Sequence, residues 1–250
     1  MRKYGLIGYP LGHSWSKKYF TEKFLKERIN DCQYELFPLE HLEELPSLLE
    51  NEKELLGINV TIPYKSDIIR YLDELSPEAN EIGAVNVIRI SRENGRIRLN
   101  GYNSDATGFF LSLKPFLTNQ RTAIVLGTGG SSKAVVYALK KAGINVIIVS
   151  RSPSPQTITY RDLNESFFNE AGLIINTTPL GMFPNMDEKP PVPYEFLKSN
   201  HILYDLVYNP EMTSFMKMGK EVGCTVISGL EMLKLQAEKA WEIWNDLTAQ

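Results

Sequence analysis

Cysteine and histidine are scarce in this 250-residue sequence: two of the first, Cys32 and Cys224, and three of the second, His13, His41 and His201. All are far apart, and a protein zinc site or a disulfide framework needs clustered ligands or paired cysteines, so neither is expected; the pattern is that of a reducing compartment. No apolar run is long enough to span a bilayer, and no long apolar core precedes the first strand, so a cytoplasmic protein is expected. An excess of basic charge is missing too. Lys and Arg total 27 against 30 Asp and Glu, a formal net charge of −3. That leaves no electrostatic footprint for nucleic acid or an anionic membrane, and makes a small molecule the default partner. Internal repeats and low-complexity segments are absent, and the length allows one large or two ordinary domains.

What is present centres on residues 121–143, RTAIVLGTGGSSKAVVYALKKAG. Residues 122–126 form a short, β-branched apolar run that reads as a buried parallel strand, broken at Gly127-Thr128-Gly129-Gly130. Ala134, Val135, Ala138 and Leu139 recur at helical spacing, with Ser131 and Ser132 at the amino end and Gly143 at the stop. Strand, glycine turn and helix together make a phosphate-binding geometry: bare backbone can approach a pyrophosphate, and unpaired N–H groups at the helix start point at it. A second strand, 145–150, completes a βαβ unit. At its tip an NAD-binding protein would carry an acid for the ribose hydroxyls; this sequence has Ser150-Arg151-Ser152, which points to a 2′-phosphate and hence to NADP.

The remaining chain reads as an α/β protein. Strands are expected at 4–8, 32–37 and 55–63, helices at 17–29 and 41–49, and a further helix after Tyr64-Lys65-Ser66-Asp67 to about residue 75. Asn59 and Thr61 share one side of the third strand by its period of two, with Lys65 just past its end. Asn94-Gly95 marks a hairpin between 83–90 and 96–99. The stretch 101–108 opens a helix running towards Lys114, where Pro115 interferes, with Asp105 placed to act as its cap or in a site. Ser14 and Ser16, at a strand-to-helix junction, carry the same two readings. Beyond the βαβ unit come buried strands at 172–178, 202–207 and 225–227, a helix at 213–222 and a last helix from Leu230. The stripe Leu233, Ala237, Ala240 or Trp241, and Trp244 predicts that this last helix returns to the first lobe. The boundaries read as 1–105 for a substrate-binding and catalytic domain, 106–229 for a Rossmann-like doubly wound NADP domain, and 230–250 for the returning helix.

Seven signatures in order, His13-Ser14-Trp15-Ser16, Gly57-Ile58-Asn59-Val60-Thr61-Ile62-Pro63-Tyr64-Lys65, Gly83-Ala84-Val85-Asn86, Gly101-Tyr102-Asn103-Ser104-Asp105, the Gly127 turn, Asn176-Thr177-Thr178-Pro179-Leu180-Gly181-Met182, and Gly229-Leu230-Glu231-Met232-Leu233 with Gln236, make the chain resemble the shikimate dehydrogenase family along nearly its whole length. The resemblance implies NADPH-dependent reduction of 3-dehydroshikimate to shikimate, in the route to aromatic amino acids. It gives Lys65 and Asp105 the catalytic places. Ser14 and Ser16, with Tyr208, would hold the substrate carboxylate, and Asn59, Thr61, Asn86, Asp105 and Gln236 the ring hydroxyls. Gly127, Thr128, Gly129, Gly130 and Ser131 would take the pyrophosphate and Arg151 the 2′-phosphate, with Thr177, Leu206, Gly229 and Met232 flanking the adenosine or nicotinamide ends. A monomer or homodimer without metal is expected.

The sequence departs from the family pattern in places. Lys17 stands for a usual proline, Tyr19-Phe20 for His-Asn, Val87 for threonine, Ser150 for asparagine, and Pro155 for a second basic residue. A relative that also oxidises quinate, and a non-catalytic NADP-binding sensor, are the alternative readings. The co-occurrence of Lys65, Asp105 and Gln236 speaks against a sensor, which has no need of a proton donor.

Overall fold

The computed structural model describes residues 1–12 and 14–246; His13 of the first signature lies outside them. The chain divides into two compact units, Met1–Ser104 joined by 237–246, and Asp105–Gln236.

The first unit carries a six-stranded mixed sheet. In chain order its elements are β1 (Arg2–Gly8), α1 (Trp15–Lys26), β2 (Cys32–Pro38), α2 (Leu45–Asn51), β3 (Leu55–Val60), β4 (Glu74–Leu75), α3 (Pro77–Ile82), β5 (Val87–Glu93) and β6 (Arg96–Tyr102). The strand order is β2-β1-β3-β5-β6-β4. β1 runs parallel to β2 and β3, while β5 is antiparallel to β3 and β6. The β5–β6 hairpin turns on Asn94 and Gly95, at φ 51° and 76°, the positive pair that a two-residue turn between twisted strands demands. One face of the sheet buries Leu42, Leu45, Leu49, Ile58, Ile68 and Ile88 under α2. The other buries Tyr4, Phe20, Phe24 and Tyr34 against Ala237, Ala240 and Trp244.

The second unit opens with α4 (Asp105–Leu113) and continues through β7 (Thr122–Leu126), α5 (Gly130–Lys141), β8 (Asn145–Ser150), β9 (Ile158–Thr159), α6 (Glu165–Glu170), β10 (Leu173–Asn176), β11 (Ile202–Asp205), α7 (Ser214–Val222), β12 (Thr225–Ser228) and α8 (Leu230–Asn245). Its six strands are all parallel, in the order β12-β11-β10-β7-β8-β9. This is a doubly wound sheet with its order reversing beside β7. Helices cover both faces, so β7, β10 and β11 are buried at every residue, and their sequences TAIVL, LIIN and ILYD read as unbroken apolar runs apart from their ends.

Three expectations are corrected. The helix after Lys65 is a 3₁₀ turn, Asp67–Tyr71, and the chain then forms β4 alongside β6, with Leu99 N–H donating to Asp73 Oδ2 at 2.7 Å. The helix at 41–49 is split into a 3₁₀ turn, Leu42–Glu44, and α2, which begins where Pro46 suits a first turn. The third strand ends at Val60 rather than running on to Pro63.

Candidate functional site

The glycine turn is built as its residues dictate. Gly127 sits at φ 111°, and a Cβ there would lie 2.7 Å from Thr177 Oγ1, so no larger residue fits. Thr177 is held in that position by its own hydroxyl, which donates to the Leu126 carbonyl at 2.6 Å. Ser132, rather than Ser131, closes the turn from inside: it is 2% exposed and donates to the Gly127 carbonyl at 2.6 Å. Gly129 caps α5 without any side-chain bond to the first turn, and a Cβ there would meet nothing within 4 Å. A helix start with a glycine N-cap and no side-chain cap bond lets backbone approach an anion, so the turn fits the pyrophosphate of a dinucleotide. Thr128 is exposed, and so is Arg151, one residue past β8.

Around this turn the carboxyl ends of β10, β11 and β12 are tied together, in part by an acid that the sequence reading missed. Asp205, fully buried at the end of β11, accepts from Asn176 Nδ2 at 2.9 Å, Val207 N–H at 3.0 Å and Thr213 Oγ1 at 2.6 Å. Burial outweighs these bonds and pushes its carboxyl up to about 6. Asn176 in turn accepts from the N–H and hydroxyl of Thr178. A Cβ on Gly229 would lie 2.1 Å from the Leu206 carbonyl, so the loops bearing Leu206 and Gly229 meet backbone to backbone. The signal for Asp205 was available: a lone acid closing an apolar strand.

Asp105 begins α4 and is 4% exposed. One turn on, Gly108 is where α8 passes, a Cβ there falling 2.8 Å from the Met232 carbonyl and 2.9 Å from Gln236 Cβ. Gln236, 8% exposed, is thereby brought beside α4, and its amide donates to the Leu233 carbonyl at 3.0 Å. Tyr208, half-buried three residues past β11, has a phenol pushed up by burial.

In the first unit, Ser14 is the N-cap of α1, its hydroxyl accepting from Lys17 N–H at 3.4 Å, and Ser16 lies in the first turn. Lys65, half-buried, is carried on a loop anchored on both sides. Tyr64 buries its ring and sets its hydroxyl against the Leu39 and Glu40 carbonyls at 2.7 and 2.8 Å, and Val85 N–H donates to the Lys65 carbonyl at 2.7 Å. Thr61 is fixed by its N–H to Ile7 O at 2.9 Å. Asn59 and Asn86 come together, Asn59 Nδ2 donating to the Asn86 carbonyl at 3.2 Å, and Asn86 exchanges bonds with Ser104 at 2.9 and 2.7 Å. Lys65 thus belongs to the first unit and Asp105 opens the second.

His201 is structural: its Nδ1 accepts from Lys198 N–H at 3.0 Å, so Nε2 carries the proton and donates to the Phe168 carbonyl at 2.9 Å. Among the described residues no group of three or more His, Cys, Asp or Glu could hold a metal, and no helix is long and apolar enough to cross a membrane.

A family model described as the shikimate dehydrogenase substrate binding domain matches residues 6–88. The NADP(+) shikimate dehydrogenase of Clostridium beijerinckii is 40% identical, over 98% of this chain and 93% of that protein. That of Methanococcus aeolicus is 37% identical, over 96% of this chain and 90% of that protein. The crystal structure of the Thermus thermophilus enzyme in complex with NADP(H) and shikimate, 32% identical, superposes with a TM-score of 0.85 over 99% of this chain and 94% of that one. With relatives above 30% identity covering nearly its full length, the chain belongs to the shikimate dehydrogenase family.

Proposed function

We infer that this protein is a cytoplasmic NADP-dependent oxidoreductase that reduces 3-dehydroshikimate to shikimate, reversibly. The observation that carries the reading is the glycine turn at the start of α5, where Gly127 admits no side chain and Gly129 caps the helix without one, in a chain that matches shikimate dehydrogenases over 98% of its length. Arg151, one residue past β8, where an acid would repel a phosphate, is assigned the 2′-phosphate. Thr128, Gly130 and Ser131 complete the phosphate seat, and Thr177, Leu206, Gly229 and Met232 flank the rest of the cofactor.

Bound NADPH supplies the hydride. The protein must supply position and a proton. Lys65 is assigned the proton transfer: an ammonium near a ketone stabilises the charge that develops on oxygen and can release a proton to it. Asp105, the other proposed catalytic residue, would orient that amine and a ring hydroxyl. Ser14, Ser16 and Tyr208 would take the carboxylate, and Asn59, Thr61, Asn86 and Gln236 the hydroxyls. Such a site, pairing each substrate hydroxyl with a neutral partner, rejects analogues lacking one because its own polar groups would be left unpaired.

The test is NADPH oxidation followed by absorbance with 3-dehydroshikimate, beside NADH, for the wild type and Lys65→Ala. Wild type should turn over with NADPH in preference to NADH. The variant should lose turnover by about a thousandfold with KM for substrate within about tenfold, as expected for a group acting chiefly in the transition state. Near-normal turnover in the variant would remove Lys65 from the chemistry, and equal use of NADH would remove Arg151 from cofactor choice.

A further inference from the structure

Tyr34 lies in β2, outside every signature that the resemblance supplies, and is 3% exposed. Its ring stacks on Phe20 with centroids 4.6 Å apart, and its hydroxyl is 2.8 Å from Asn59 Oδ1. The direction of this bond is dictated by what lies on the other side of the amide. Asn59 meets the Asn86 backbone carbonyl, which can only accept, so the amide nitrogen must face it. Asn59 Oδ1 therefore faces Tyr34, and the phenol must donate. The Ser16 side chain adjoins the same phenol. Tyr34 thus stands between two residues proposed to hold substrate, with burial keeping it protonated and so always able to donate.

We propose that Tyr34 is a positioning residue for substrate: it locks the Asn59 carboxamide so that its oxygen is spent internally and its remaining N–H is the group presented to a ligand oxygen. This inference rests on the proposed function, since it takes Asn59 as a substrate ligand. An amide held from one side only can turn over. It would then present an acceptor where the ligand expects a donor, and leave the Asn86 carbonyl opposite another oxygen. One neutral hydrogen bond sets the scale, so loss of the lock should weaken substrate binding about fivefold to tenfold.

Tyr34→Phe removes the hydroxyl and keeps the ring that stacks on Phe20. Shikimate oxidation with NADP+ should show KM for shikimate raised about fivefold to tenfold, KM for NADP+ within about twofold, and the thermal unfolding midpoint within a few degrees of wild type. The second arm is the cycle with Asn59→Ala: once the amide is gone, Tyr34→Phe should add no further rise in KM. An unchanged KM for shikimate in the single variant, or a fully additive loss in the double variant, overturns the proposal. Should Asn59→Ala fail to fold, the single variant decides on the split between the two KM values, because a general loosening of the unit would not single out shikimate. Absence of shikimate oxidation by the wild type would instead refute the underlying reading.

Discussion

At the scale of single residues, burial and legibility part company: Ser104 and Asn176 are fully buried inside signatures, whereas Asp205 and Tyr34 are buried outside them. Asp205 is fully buried, and its carboxylate joins the end of β10 to both ends of the loop between β11 and α7 at the carboxyl edge of the parallel sheet. Its pKa is raised from 3.8 to about 6, so the folded protein holds this proton more tightly than the unfolded chain does. The stabilising contribution of the protonated form is complete below about 3.8 and is lost as pH rises through about 6. At 1.36 kcal/mol per pKa unit, the loss amounts to roughly 3 kcal/mol. Asp205→Asn keeps the shape and removes the titration. Urea unfolding at pH 4 and pH 7.5 should therefore show the stability gap between wild type and variant moving by roughly 2 kcal/mol in the variant's favour as pH rises, the rest having been lost below pH 4. A gap that stays constant would mean that Asp205 titrates normally. The sequence reading passed over this residue, as it passed over Tyr34, because their amide partners, Asn176 and Asn59, lie 29 and 25 residues away. Gly127 was legible because its requirement is local: a strand ends, a helix starts, and only glycine fits the angle between them.

At the scale of elements, the strands of the parallel sheet were readable because burial on both faces leaves a mark in four to six consecutive residues. The short pieces were not. β4 exists because Glu74 and Leu75 pair with Asn100 and Gly101, a partnership with no local signature, and the apolar spacing before it imitates a helix. α2 is a similar case of distant support. It is only seven residues long and its last carbonyls have no following turn, yet Arg92 from β5 reaches them. The guanidinium donates to Leu49 O at 3.1 Å, Glu52 O at 3.0 Å and Leu55 O at 2.6 Å, which ties the helix end to the start of β3. A cation at a helix carboxyl end is also favoured by the helix dipole. Arg92→Ala should cost about 2 to 4 kcal/mol, since three partly buried acceptors lose a charged donor at once. Arg92→Lys should recover less than half, because an ammonium on a single stem cannot reproduce the planar fork. Chemical denaturation of the three proteins measures both; equal stability of the Lys variant and wild type would show that charge alone matters.

At the scale of the whole molecule, the chain builds its second unit in one piece but completes the first only with its last residues, since α8 contributes to one unit up to Gln236 and to the other from Ala237. The apolar stripe announced this return, because Ala237, Ala240 and Trp244 need a surface larger than their own helix. What the stripe could not announce is the fit. Trp244 stacks on Tyr4 at 4.9 Å, donates from Nε1 to the Ile88 carbonyl at 3.0 Å, and occupies the space beside Gly57, where a Cβ would fall 2.3 Å from that nitrogen. Gly57 opens the signature that runs through Asn59, Thr61 and Lys65, so its lack of a side chain serves packing as well as the strand. Trp244→Ala would leave a cavity against the centre of this sheet and should cost about 3 to 5 kcal/mol. The turn proposed to seat NADP is made wholly of residues 126–177, in the other unit. The variant should accordingly lower the denaturant midpoint while leaving NADPH affinity, read by fluorescence titration at low denaturant, within about twofold of wild type. Parallel loss of cofactor affinity and stability would instead mean that the cofactor seat depends on the end of α8, and that the two units fold as one.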